Sequence, residues 1–391
     1  MPETAPNQPL LAPAPPQASS KPSIETPPGI EEKPPEKPYP WILSPTIDLL
    51  FCCGGIFWLV FAVYKISGVE PNLFGNPTAF SLMLISIMAL NIFGDAHQPA
   101  TLMRVYGSAQ TRKSLGKITT ILGVIALGAG LCTFLIPETS IFWVKVVLAW
   151  GFQHQLSQSY GICLLYCIKR GYRMNKYEKL IMAGMINCTT IYLILRMFSI
   201  EAFGQGNLFG GAMTLPFWSI VPPSVTAVSL AVLQISVVLF FAMLARKYYI
   251  EKKFMPLPGL LTLMTLVVLP VCAGEAFFLV WMLFSQHLFH SSQYLVVTTA
   301  YYLKERGLPE NVSFWQISRF LKSWTFAKYF GIVVGTGFFI SYIFPNFLID
   351  NGAEKALAFS AVYVFINLHH FAVDGLIWKL RDPVLQKLLI A

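Results

Sequence analysis

A chain built from one long apolar run after another has few folds open to it, because a stretch lying in hydrocarbon must satisfy its backbone polar groups within itself. Ten such runs follow one another here, at about residues 44–66, 77–106, 115–136, 140–168, 177–200, 225–244, 257–272, 276–303, 326–348 and 356–380. Most approach or exceed the roughly 20 residues with which a helix crosses a ~30 Å hydrocarbon core. The expected fold class is therefore all-α, a polytopic membrane helix bundle of about ten transmembrane helices. Composition agrees: 12% of residues are charged and 55% apolar, where soluble domains carry about a quarter charged residues.

Residues 1–40 are different in kind. They hold thirteen of the 27 prolines and neither histidine nor cysteine, so they cannot bury enough surface to offset the entropy of ordering. They are expected to form a disordered Pro-rich tail, inert or a docking arm for a partner protein, followed by one multi-span domain over 41–391. The tail has no apolar core of the kind a cleavable signal peptide needs. Pro45 suits the start of the first helix, with Asp48 complementing its dipole. Pro99 is expected to bend the second span, and the segment around 308–324 to lie in the membrane interface. All seven cysteines sit in or at the ends of apolar runs without a CxxC spacing, which argues against a disulfide framework.

Charge distribution checks the span count independently. Every even-numbered span exits into a basic cluster, such as Arg104, Arg112 and Lys113 after the second or Lys379 and Arg381 after the tenth. Odd-numbered spans exit into acidic or neutral loops such as Glu201–Gly204. Basic loops face the cytoplasm, so both termini are expected there, in an integral, multi-pass protein embedded in the lipid bilayer. The net charge of +9 thus acts in topology, and nucleic acid is not an expected partner. The same topology puts Asn311-Val-Ser313 on the cytoplasmic side, where it would not be glycosylated.

The six histidines, His97, His154, His287, His290, His369 and His370, all fall on even spans, the second, fourth, eighth and tenth. Counted back from the basic ends at 1.5 Å per residue, His97, His370, His290 and His154 lie about 10, 14, 21 and 22 Å deep. Ionisable residues inside a membrane are costly and usually functional. Helical spacing gives each span a polar stripe: Asn367, His370 and Asp374; His287, His290 and Tyr294; His154, Gln158 and Gly161; and two neighbouring stripes on the second span, Asn91–Asp95–Gln98 and His97–Thr101–Arg104. His369 points about 100° away from His370. Gln153-His154 through Tyr160 and Gln286-His287 through Tyr294 look alike, a hint of an internal repeat.

Neutral imidazole is the commonest protein metal ligand. A metal site drawn from His97, His154, His287, His290, His369, His370, Asp95 and Asp374 would offset the cost of burying these groups. Imidazole and carboxylate suit non-haem iron. The expected function is a membrane-embedded, metal-dependent oxidoreductase acting on a lipophilic substrate. Haem held by His154 and His290 is the alternative cofactor. An ion- or proton-coupled transporter or a structural membrane protein, in which the same histidines join helices, are the other readings. Arg104, Trp378 and Lys379 read as interface anchors, and Tyr106, Tyr160 and Tyr294 as packing groups. No GxSxG, Walker or HExxH motif is present.

His287-Leu-Phe-His290 and His369-His370 within apolar helices resemble the histidine-rich integral membrane oxygenases and desaturases, including the bacterial Brp/Blh carotene-cleaving family. The resemblance covers the polar band rather than the whole chain, and the HxxxH and HxxHH spacings are missing. It implies iron held by transmembrane histidines and an acyl, carotenoid or other isoprenoid substrate.

Overall fold

The computed structural model describes residues 41–66, 88–199, 206–208, 213–215, 220–272, 285–306, 321–380 and 385–390, with positions 85, 319 and 382. The expectations placed on the tail, on the loop Glu201–Gly204 and on most of the interfacial segment around 308–324 lie outside these residues.

The described chain is helical apart from a two-stranded antiparallel ribbon, β1 (Gly206–Leu208) and β2 (Met213–Leu215). In order, the helices are α1 (Pro45–Cys52), α2 (Gly55–Ile66), α3 (Asp95–Tyr106), α4 (Ala109–Leu135), α5 (Pro137–Lys169), α6 (Lys176–Met197), α7 (Pro223–Glu251), α8 (Leu257–Cys272), α9 (Ser292–Glu305), α10 (Trp324–Asp350) and α11 (Lys355–Ile377). On length and composition α4, α6, α7, α10 and α11 can each cross a membrane, and α1 with α2 makes a sixth span if the bent pair is counted as one. Helix α5 is 33 residues long yet is not among them, and the reason is its middle, where Gln153, His154, Gln155, Ser157, Gln158 and Ser159 interrupt the apolar sequence. The expected second and eighth spans are described only in part, and α8 has 16 residues.

The expected first span is broken. Pro45 does start a helix, capped by the Ser44 hydroxyl on the Ile47 N–H (3.3 Å). The chain then turns by 56° at Gly54, whose φ of +82° only glycine adopts without strain. Such a break exposes helix-end carbonyls, and neighbours satisfy them: Thr262 and Gln293 donate to the Cys52 carbonyl (3.0 and 2.7 Å) and Thr265 to that of Cys53 (3.1 Å). Asp48 does more than complement the helix dipole. Its carboxylate accepts the backbone N–H groups of Ile42 (2.6 Å), Leu43 (3.0 Å) and Ser44 (3.3 Å) and the Tyr166 hydroxyl (2.8 Å), pinning the chain entry to α5.

Helix α3 runs through Pro99 without the bend expected there, and a π-helical turn, Leu90–Gly94, precedes it. Proline cannot donate to the Asp95 carbonyl four residues back. Gly337 of α10 packs against that carbonyl so closely that any Cβ at 337 would overlap it. A second π-helical turn, Gln286–Ser291, leads into α9. Wide turns of this kind are common at functional sites, because they re-aim side chains within a helix. Away from the site, Lys247 is buried and donates to both carboxylate oxygens of Glu178 (3.0 Å each) and to one of Glu251 (2.9 Å).

Candidate metal centre

Four imidazoles from four segments meet in the buried interior: His97 of α3, His154 of α5, His290 of the π turn before α9, and His370 of α11. Successive ring centroids are 4.6 Å apart from His97 to His370, 4.8 Å from His370 to His154, 5.1 Å from His154 to His290, and 5.4 Å from His290 back to His97. Each ring meets the next edge-on, at 74–87°. The four close a ring. One ligand atom each of His97, His290 and His370 lie within 4.8 Å of one another, and so do those of His154, His370 and Asp374. Asp374 Oδ2 stands 3.7 Å from both His154 Nε2 and His370 Nε2.

Hydrogen-bond counting fixes where two of the ring protons sit. His97 Nδ1 meets the Gly94 carbonyl, which can only accept, so Nδ1 carries the proton and Nε2 keeps its lone pair. His370 Nδ1 meets Thr101 Oγ1 at 2.7 Å. That hydroxyl has one proton, and the Asp374 carboxylate 3.1 Å away competes for it more strongly than a neutral nitrogen does. His370 therefore donates from Nδ1 and likewise presents a bare Nε2. Tyr294 donates to the same Asp374 Oδ1 at 2.7 Å and accepts from Trp378 Nε1 at 3.2 Å. One side of the imidazole ring is thus held in place by Thr101, Tyr294, Asp374 and Trp378.

The other side is unsatisfied. His97 Nε2, His154 Nε2, His370 Nε2 and both nitrogens of His290 are buried without a hydrogen-bond partner. His290 is fully buried, at 0% exposure. An unsatisfied buried polar atom costs about 1–3 kcal/mol, so five together demand an explanation.

The remaining expected ligands take different places. His287 is buried with Nδ1 unpartnered and lies against Gly94, where an added Cβ would come within 2.6 Å of that nitrogen, but it belongs to neither ligand group. Asp95 faces Ser341 and Tyr342 of α10, away from the four rings, so of the two polar stripes on α3 it is the one with His97 and Thr101 that enters the site. His369 turns from the ring, as its 100° offset requires, and its Nε2 reaches the Thr119 carbonyl of α4 at 3.3 Å. Asn367 bonds Gln98 (3.0 Å) and ties α11 to α3. Gln158 holds α5 to the π turn through the His290 carbonyl (3.0 Å) and Gln293 (2.9 Å).

Tyr294 and Trp378, assigned above to packing and anchoring, are part of the site. Their signal was in the spacing: Thr101, Tyr294, Asp374 and Trp378 each follow a site residue by four positions, one helical turn. Two cavities approach the centre. One, of about 230 Å³, has His154, Ser157, Gln158, Tyr294, Asp374 and Trp378 in its wall. The other, of about 410 Å³, lies between α3, α4, α10 and α11 and touches His370. Set against family models, curated proteins and solved structures, the chain matches none.

Proposed function

We propose that this protein is a multi-pass membrane metalloenzyme, holding one metal ion among His97, His154, His290 and His370, with Asp374 as a further ligand or its immediate support. The observation that carries this reading is the closed ring of buried imidazoles whose inward nitrogens have no other partner. Metal–imidazole bonds of roughly 2.0–2.1 Å put neighbouring ring centroids about 4.5 Å apart around a square and about 5.2 Å around a tetrahedron. The observed 4.6–5.4 Å separations correspond to those values. The two protons fixed on His97 Nδ1 and His370 Nδ1 leave lone pairs where an ion would need them, the usual arrangement behind a ligating histidine.

Imidazoles with one carboxylate favour non-haem iron, which exchanges single electrons and polarises an oxygen-bearing ligand. We therefore assign the reaction class to metal-dependent oxidation of a lipophilic substrate. The apolar cavity that touches His370 supports a substrate drawn from the bilayer. Haem is disfavoured, because rings in edge-to-face contact leave no slot for a macrocycle between any two of them. The ten-span topology with cytoplasmic termini stays part of the proposal, supported by the basic clusters that follow alternate spans.

Elemental analysis with an absorption spectrum of protein purified without chelators is the test. The expected result is about one iron per chain with no Soret band, lost on His290→Ala or His370→Ala. Metal-free wild-type protein would overturn the assignment.

A further inference from the structure

We propose that the larger cavity is a binding site for an uncharged, long-chain or isoprenoid alcohol, with the hydroxyl held by His369 and Thr119 and the chain laid toward His370. The cavity is a cleft of about 410 Å³ between α3, α4, α10 and α11. Leu102, Val124, Leu127 and Phe365 supply its apolar wall. Val124 and Leu127 are 65% and 47% exposed on a helix long and apolar enough to cross a membrane, so the outer edge of the cleft faces lipid. No aspartate, glutamate, lysine or arginine is among the described residues that line it. A carboxylate or phosphate would enter this wall without a counter-charge, at a cost that a hydroxyl does not incur.

The polar groups that do line the cleft match a hydroxyl. Gln98 is used by Asn367, and Tyr106 by the Gly116 carbonyl and Thr120. Thr119 is different: its side-chain oxygen is buried without a hydrogen-bond partner, although the residue is only 1% exposed. His369 donates from Nε2 to the Thr119 carbonyl, since a carbonyl only accepts, and this leaves Nδ1 as an acceptor. A hydroxyl can donate to one of these groups and accept from the other, whereas a hydrocarbon without one would leave both unsatisfied. Gly123 lies beside them, where an added Cβ would meet the His369 ring at 3.5 Å, an ordinary van der Waals contact.

The proposal deepens the metalloenzyme reading and rests on it for one point, that a chain ending at His370 is presented to the metal; binding in the cleft does not depend on the ion. Photolabelling in lipid nanodiscs tests it, using a hexadecanol that carries a diazirine and an alkyne, the matching fatty acid, and peptide mapping of the adducts. Alcohol adducts on Leu127, Ile340 and Phe365 are expected to exceed those on Val238, a lipid-exposed residue of α7, at least fivefold. The fatty acid is expected to label these positions several-fold less. His369→Leu should reduce cleft labelling about fivefold, and His369→Gln, which keeps an acceptor, should recover most of it. Adducts spread evenly over lipid-facing positions, stronger labelling by the fatty acid, or indifference to His369→Leu in protein that remains monodisperse would overturn the proposal. Metal content measured on the same samples separates the two conclusions. Metal-free protein with cleft labelling intact overturns the metal centre alone, and metal-replete protein without it overturns the alcohol site alone.

Discussion

Thr101 has a single hydroxyl proton and three neighbours that could use it, His370, Tyr294 and Asp374. Because the carboxylate takes it, the threonine oxygen is left to accept from His370, which turns a small side chain into the group that sets an imidazole's tautomer. Thr101→Val is expected to weaken metal binding about 10–100-fold, the usual effect of removing the partner behind a ligand. Thr101→Ser should restore it, and chelator competition gives the measurement. Adjacent histidines supply a sharper contrast: His370→Ala should abolish stoichiometric metal while His369→Ala retains it, as read by elemental analysis. Much at this scale was legible in the sequence. The offset of one residue already separated His369 from His370, and spacings of four already aligned Tyr294 with His290 and Trp378 with Asp374. Proton direction was not legible, because it depends on which atoms from different helices meet at hydrogen-bond distance. Asp95 was misleading for a related reason: α3 carries two polar stripes, and only the packing of α10 decides which of them faces the rings.

Two of the helical irregularities lie at the site. The π turn at Leu90–Gly94 offers the Gly94 carbonyl to His97 in the turn that follows, and the π turn at Gln286–Ser291 carries His287 and His290. Gly94 also leaves room for the His287 ring. Gly94→Ala is expected to displace that ring, disturb the carbonyl behind His97 and lower metal occupancy several-fold, with secondary structure by circular dichroism unchanged. The bend after α1 makes a separate prediction. Asp48→Ala would leave three buried backbone N–H groups and the Tyr166 hydroxyl without their acceptor, a loss of about 4 kcal/mol or more at roughly 1–3 kcal/mol per group. A lowered thermal midpoint in detergent measures it, and metal content should change little in the folded fraction. The bend expected at Pro99 is not where the second span departs from α-helix: α3 continues through the proline, with Gly337 packed over the carbonyl it leaves unbonded, and the π turn precedes it at residues 90–94.

At the scale of the whole molecule, the features that make the centre also disguise the helices that carry it. Helix α5 contains a polar patch in its middle, so hydropathy counts it out, while α4 and α7, which supply none of the ring histidines, stand out most clearly as apolar spans. The helical class was therefore readable from the runs of apolar residues, whereas the expected count of ten spans rests on the charge alternation. Because the ion would join α3, α5, the π turn before α9, and α11, its removal should loosen the bundle as a unit. Chelation is expected to lower the thermal midpoint, by an amount equivalent to about 2.7 kcal/mol when free metal is a hundredfold above its dissociation constant. His290→Ala protein should show no such shift.

Helix α11 presents two successive residues to two different environments: His369 meets the Thr119 carbonyl at the cleft, and His370 enters the ring of imidazoles. Neighbouring peptide units in a helix cannot rotate independently, so the pair behaves as the two arms of a short rigid balance. A molecule pressing on His369 is weighed at His370. Occupancy of the membrane-facing cleft should therefore change the spectrum of a metal ion that the bound chain's hydroxyl end never touches, and filling the centre should in turn alter how tightly the cleft holds its guest.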